Sequence, residues 1–196
     1  MDLDPDLSVM RALQAGDDAA LNELINRHRE PLRHFVYRYL HDEATAGDVV
    51  QETFVRVYFK AVKFEPRSTV KTWIYAIAMN LCRDQFRRLA KHRGDVSFDD
   101  KPEGHASRVE PVDPSPGPSV QAVQSDRFGF LQRAIDTLPH PLKAALVLFA
   151  LEGHSQKETA EILGTTPKTV ELRVYHAKEK IRQILGARLG KEAQSS

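Results

Sequence analysis

Apolar residues recur along this chain at intervals of three and four, in two blocks separated by a stretch with no period. That spacing predicts helices, and neither block shows the alternation of a strand. In the first block, Leu7, Met10 and Leu13 mark a short helix with Gly16 as its C-terminal cap. Leu21, Leu24, Ile25 and His28 mark a second, interrupted or kinked at Pro31, and Leu32, Phe35, Val36, Tyr39 and Leu40 carry the period onward. Thr45 and Asp48 form a capping-box pattern predicted to open a helix that runs to about Val62. Val70, Trp73, Ile74, Ile77, Ala78, Leu81 and Cys82 give the stripe of the last helix, which continues into Arg83, Arg87, Arg88, Lys91 and Arg93.

In the second block, Phe130, Leu131, Ala134, Ile135 and Leu138 form one helix, stopped by Pro139-His140-Pro141. Leu142 to Leu151 is the next, closed by Gly153. Ser155 and Glu158 make a capping box for a third, ending at Leu163-Gly164. Thr166 as N-cap, with Pro167 at the first helical position, opens a fourth through about Leu185. The expected fold is all-α, with two small helical domains over residues 1–93 and 127–189 and a polar, frayed tail over 190–196.

Between the domains, Pro102, Pro111, Pro114, Pro116 and Pro118 stand among acids and serines. Such a stretch buries too little apolar surface to offset the entropy of ordering, so residues 94–126 are expected to form a flexible acidic linker. The net charge of +1 gives no hint of a partner, but its distribution does. Residues 1–93 hold 15 Lys and Arg against 13 Asp and Glu, residues 94–126 hold 2 against 7, and residues 127–196 hold 11 against 7. Two basic blocks flanking an acidic strip point to a polyanion. Cys82 is the single cysteine, so no intramolecular disulfide and no cysteine cage for a metal can form. The acidic start (Asp2, Asp4, Asp6) is unlike a signal peptide, and the longest apolar run, Ala144 to Leu151, falls well short of the ~20 residues of a membrane span. The expected compartment is the cytoplasm, with no membrane insertion.

Candidate chemistry concentrates in three places. The sharpest is residues 156–175, where Ala160, Gly164 and Val170 have the spacing of a helix-turn-helix. A small Ala lets two helices cross closely, Gly permits the left-handed turn, and Val packs the second helix onto the first. With Val170, Val174, Ala177 and Ile181 inward, Lys168, Glu171, Leu172, Arg173, Tyr175 and His176 are left to meet DNA. The second is the helix from Thr45 to Val62. Val50, Phe54, Val57 and Ala61 suit a core, while Gln51, Val55 and Phe59 form another face rimmed by Asp48, Glu52 and Arg56. That face is either buried or docks a partner. The third is Lys63, Phe64, Arg67, Lys71, Trp73, Tyr75, Asn80 and Arg83, where rings and cations alternate as unstacked bases and phosphates require. Trp73 also fits the core stripe.

The runs DVVQETFVRVYFKA, KFEPRSTVKTWIYAIAMNLCRDQFRR and SQKETAEILGTTPKTVELRVYHAKEKIR together resemble the extracytoplasmic-function (ECF) sigma factors of bacterial RNA polymerase, over about residues 5–93 and 127–186. The resemblance implies a region-two bundle joined to a region-four helix-turn-helix. It implies that Asp48, Val49, Gln51, Glu52, Phe54 and Val55 dock on core polymerase, with Phe59 on the same face. It implies that Lys63, Phe64, Arg67, Ser68 and Thr69, with Trp73, Asn80 and Arg83, meet the minus-ten element and hold a flipped base. The helix from Thr166, with Lys168, Thr169, Glu171, Leu172, Arg173, Tyr175 and His176, would enter the major groove of the minus-thirty-five element. Glu171 stands where the family usually has Lys or Arg, Leu172 where it has Ser and His176 where Arg is commonest, so the minus-thirty-five specificity should differ there.

The partners so implied are core RNA polymerase and promoter DNA, with an anti-sigma protein as an optional third. No catalytic residue, cofactor or metal site is expected, since no nucleotide, nucleophile or zinc motif occurs. His28, His34 and His41 read as surface or boundary positions. The rival reading is a stand-alone helix-turn-helix regulator, which would share the C-terminal block but has no use for an exposed Gln51/Val55/Phe59 face.

Overall fold

The computed structural model describes residues 4–92 and 129–194, with side chains from 4 to 88 and from 129 to 186. The predicted linker, 94–126, lies outside the described residues. Those described are helical throughout, with no strand among them. They form α1 (Leu7–Gln14), α2 (Asp18–Leu40), α3 (Glu43–Ala61), α4 (Val70–His92), α5 (residues 129–136), α6 (His140–Leu146, running into a π-helical turn Val147–Leu151), α7 (Gln156–Leu163) and α8 (Pro167–Gln194).

The helix boundaries follow local chemistry, with three departures from the sequence reading. Asp17 caps α2, its carboxylate accepting from the Ala19 N–H at 2.9 Å, and the helix then runs unbroken through Pro31. Proline removes one N–H from the ladder, but Leu24, His28, Leu32, Phe35, Val36 and Tyr39 bury one continuous stripe that holds the helix together. Helix α3 begins earlier than the Thr45/Asp48 pattern suggests. Asp42 is the N-cap and accepts from the Thr45 N–H at 2.6 Å, so Thr45 already lies inside the helix. Helix α8 continues to Gln194, past both the expected end near Leu185 and the tail expected from residue 190.

Helices α1 to α4 form one bundle. Met10, Leu24, Leu32, Phe35, Val36, Tyr39, Val49, Val57, Ile74, Tyr75, Met79 and Cys82 sit at its centre, each at most 2% exposed. Asp6 ties the bundle's edge: its carboxylate takes Arg27 Nη1 and His28 Nε2, each at 2.7 Å. His28 is therefore a buried partner of a carboxylate and not a surface residue, whereas His34 and His41 are exposed as expected. Helices α5 to α8 form the second bundle around Ala144 to Leu148, Ala160, Ile162, Leu163, Val170, Val174, Ala177 and Ile181.

The two bundles share one continuous core, with α7 packed along α4 and the π-helical turn against α2. Across this seam Arg38 pairs with Glu152 at 2.6 Å, and Arg83 Nη2 donates to the Leu163 carbonyl at 3.1 Å. The π-helical turn widens the end of α6, and from it Glu152 and His154 reach the first bundle.

Candidate nucleic-acid interface

The turn between α3 and α4 is fixed from below. Gln14 Nε2 donates to the carbonyls of Ala61 and Phe64, at 2.9 and 3.0 Å. Thr69 caps α4 by accepting from the Thr72 N–H at 3.2 Å, and the Asp4 carboxylate accepts from the Val70 N–H at 2.7 Å. Lys63 and Arg67 project into solvent, Arg67 beside Glu65 at 2.7 Å, while Ser68 and Thr69 are half-buried. Phe64, read as a stacking residue, is only 6% exposed and lies edge-on to Trp73 with ring centroids 5.1 Å apart. The Phe64 ring is thus structural, because it plugs the base of the turn. Trp73 is half-buried over it.

Farther along α4, Asn80 is exposed and its Oδ1 accepts from Arg83 Nη1 at 3.3 Å. Asn80 and Trp73 are seven residues apart and so share a face, but Asn80 stands about 15 Å up the helix from the 63–69 turn. The candidate minus-ten residues therefore form a line along α4, with Asn80 well beyond the turn.

On α3 the two apolar faces separate cleanly. Val49 (2% exposed) and Phe54 (6%) belong to the bundle core, so neither side chain is available at the surface for docking. Asp48, Gln51, Glu52, Val55 and Phe59 are exposed, Phe59 at 73%, and Arg56 pairs with Glu52 at 2.7 Å. Tyr58 and Val62 extend this apolar surface, a widening that the 3.6-residue period could have revealed had the face been continued one turn.

The C-terminal bundle carries the turn between α7 and α8. Ser155 Oγ accepts from the Glu158 N–H at 3.2 Å while Glu158 Oε2 accepts from the Ser155 N–H at 2.8 Å, a reciprocal cap. Gly164 closes α7 in the left-handed conformation (φ 63°), where a side chain would be strained. Thr166 Oγ1 then accepts from the Thr169 N–H at 3.2 Å to start α8. Ala160 and Val170 are buried at the crossing, and Val174, Ala177 and Ile181 follow inward. Thr166, Lys168, Glu171, Leu172, Tyr175 and His176 face outward, while Thr169 and Arg173 are half-buried. Lys168 pairs with Glu171 at 3.0 Å.

This arrangement is that of known proteins. Residues 24–92 match the family model Sigma-70 region 2, and residues 131–181 match Sigma-70, region 4. The ECF RNA polymerase sigma factor SigE of Mycolicibacterium smegmatis is 34% identical over 185 residues, covering 92% of this chain and 68% of the relative. This chain belongs to the ECF RNA polymerase sigma factors. The ECF RNA polymerase sigma-E factor of Haemophilus influenzae is 28% identical over 179 residues, with 90% of this chain and 93% of that protein covered. The solved structure of CnrH in complex with the cytosolic domain of CnrY has the same fold, with a TM-score of 0.67, 24% identity, and 93% and 97% of the two chains covered.

In this sigma factor the first bundle is region two and the second is region four. No described helix is long and apolar enough to cross a membrane. Sequence reasoning missed the seam between the regions. His140, Lys143, Glu152 and His154 of the second bundle meet Arg38, Tyr39, Tyr75 and Phe86 of the first there, and no local motif marks residues that become partners only through packing.

Proposed function

We propose that this sigma factor binds core RNA polymerase through the exposed face of α3, meets the minus-ten element along α4 and its preceding turn, and reads the minus-thirty-five element with α8. The carrying observation is the α3 surface, where Val55 and Phe59, 44% and 73% exposed, stand within an acidic rim. A stand-alone DNA-binding regulator has no use for such a face, and exposed apolar area of this kind marks a docking site. In this reading Asp48, Gln51, Glu52, Val55 and Phe59 make the polymerase contact, and Val49 and Phe54 shape the helix from within.

For the minus-ten element, Lys63 and Arg67 meet phosphate, Trp73, Ser68 and Thr69 shape the turn, and Asn80 with Arg83 offers an amide and a cation to an exposed base and its backbone. For the minus-thirty-five element, Thr166, Lys168, Glu171, Leu172, Tyr175 and His176 are the exposed candidates, with the half-buried Thr169 and Arg173 beside them. The protein acts in the cytoplasm as an initiation factor without catalytic activity of its own, and an anti-sigma protein is a further partner. Support for that partner is the likeness to the sigma factor RpoE of Bartonella quintana, solved in complex with the anti-sigma factor NepR.

The test is capture of core polymerase by the purified factor. Val55→Asp with Phe59→Asp should reduce capture at least about tenfold, since two carboxylates in a docked apolar face leave buried charge without partners. Far-ultraviolet circular dichroism should stay unchanged. Capture at the wild-type level would refute the docking face.

A further inference from the structure

Two histidines of the second bundle pack against aromatic rings of the first, His154 fully buried and His140 half-buried with its Nε2 shielded from solvent. His154 is 2% exposed, neither ring nitrogen has a hydrogen-bond partner, and its ring meets Tyr75 of α4 edge-on at 4.6 Å between centroids. His140 meets both Tyr39 of α2 and Phe86 of α4 edge-on, each at 5.4 Å. Beside it Lys143, 4% exposed, extends over the same two rings and pairs with Asp136 at 2.7 Å. The seam is thus aromatic on one side and carries two imidazoles and a lysine on the other. A neutral imidazole fits such a pocket, whereas an imidazolium would be desolvated beside existing cations.

We propose that His140 and His154 form an acid-released latch between the two regions, holding them packed together while both rings are neutral and parting them when the rings take up protons.

The groups around each ring set the sign. His140 faces Arg83 and Arg87 from α4, Lys143 from its own helix and Arg173 from α8, with the nearby carboxylate of Asp136 already paired to Lys143. Burial first, and then those four cations, push His140 down to about 4. His154 faces Lys71 of α4 and, opposing it, Glu158 of α7, with the Arg38–Glu152 pair at the edge of the Tyr75 ring. Burial, followed by Lys71, pushes His154 down to about 4 as well. Tyr39, Tyr75 and Cys82 are pushed up by burial and stay uncharged at acid pH.

Separation returns both imidazoles to water, where the ordinary value is 6.5. The packed state therefore binds fewer protons than the separated one. Packing is fully favoured above pH 6.5 and is lost progressively as pH falls from 6.5 toward 4. Inside that window each histidine raises the opening constant about tenfold per pH unit, so the two together raise it about a hundredfold.

Small-angle scattering on the full chain, titrated from about pH 7.5 to about pH 4 with circular dichroism in parallel, tests this. The radius of gyration should increase with a midpoint inside the window while helicity holds. His140→Phe with His154→Phe keeps the ring contacts without a titrating nitrogen and should stay compact throughout. Should that double variant misfold, His154→Gln alone should halve the steepness, leaving about tenfold per pH unit. A wild-type chain that stays compact across the whole titration, that loses helix as it expands, or that is matched by its variants would overturn the latch. The readout involves neither polymerase nor promoter, so it stands apart from the docking and DNA assignments.

Discussion

Glu171 is the residue on α8 whose role the structure clarifies most. A carboxylate on a helix aimed at DNA repels phosphate unless it accepts a bond from a base amino group or is neutralised by a neighbour. Here Lys168, three residues earlier, holds it at 3.0 Å, and both side chains are more than half exposed. Such a pair stabilises a helix by only about 0.2–0.5 kcal/mol, yet it occupies the carboxylate and removes one cation from the DNA-facing arc. Glu171→Gln should therefore free Lys168 and strengthen binding evenly, by roughly 0.5–1 kcal/mol at low salt. The measurement is affinity for single-base variants of the minus-thirty-five element at fixed salt. A loss of preference confined to one position, about 1–3 kcal/mol in size, would instead make Glu171 a base reader.

At the scale of the element, the turn between α7 and α8 depends on two local devices. One is the Ser155–Glu158 reciprocal cap, and the other is the left-handed Gly164. A methyl group added at Gly164 would meet only open space, so a substitution there is opposed by backbone conformation alone. Gly164→Ala should cost about 1–2 kcal/mol, the penalty of a left-handed L-residue. Ser155→Ala should cost about 1 kcal/mol through the lost cap. Thermal unfolding followed by circular dichroism measures both. The two sites sit at opposite ends of α7 with no shared partner, so the costs should be close to additive in the double variant, and strong coupling would show that the ends communicate.

The molecule as a whole must change shape to do what is proposed for it. In the packed arrangement Arg83 of α4 touches the Leu163 carbonyl at the end of α7. The minus-ten and minus-thirty-five elements are about 25 base pairs apart by their names, roughly 85 Å at ~3.4 Å per pair along the duplex. Because α7 packs on α4 and α8 packs on α7, the two reading helices lie about two helix spacings apart, roughly 20 Å, and cannot reach both elements, so the seam has to open in the promoter complex. Asp84 and Glu161 are exposed on α4 and α7 near that contact, and Cys82 is buried and shielded from labelling. Spin labels on Asp84→Cys and Glu161→Cys should report a short distance in the free factor and one longer by several tens of ångströms in the promoter-bound holoenzyme. An unchanged distance would mean that the regions stay packed on DNA.

The sequence by itself determined where most of the helices lie, the reciprocal cap at Ser155–Glu158, Thr166 as the N-cap of α8 and the inward stripe of α8. Each of these depends on interactions within about four residues, which spacing and residue type express directly. It also made the exposed face of α3 legible, because a 3.6-residue period separates Val57 and Phe54 from Val55 and Phe59. Tertiary structure decided what depends on distant partners. Phe64 and His28 became interior groups because Trp73 and Asp6 lie across from them, at separations in sequence that no local pattern records. Pro31 proved tolerable because the stripe on either side of it is buried by α3 and α4. The seam between the two regions is the furthest from the sequence. His140 and His154 look like ordinary polar positions until Tyr39, Phe86 and Tyr75 close over them, and burial, which is a property of the packed whole, is what makes an imidazole's charge costly there.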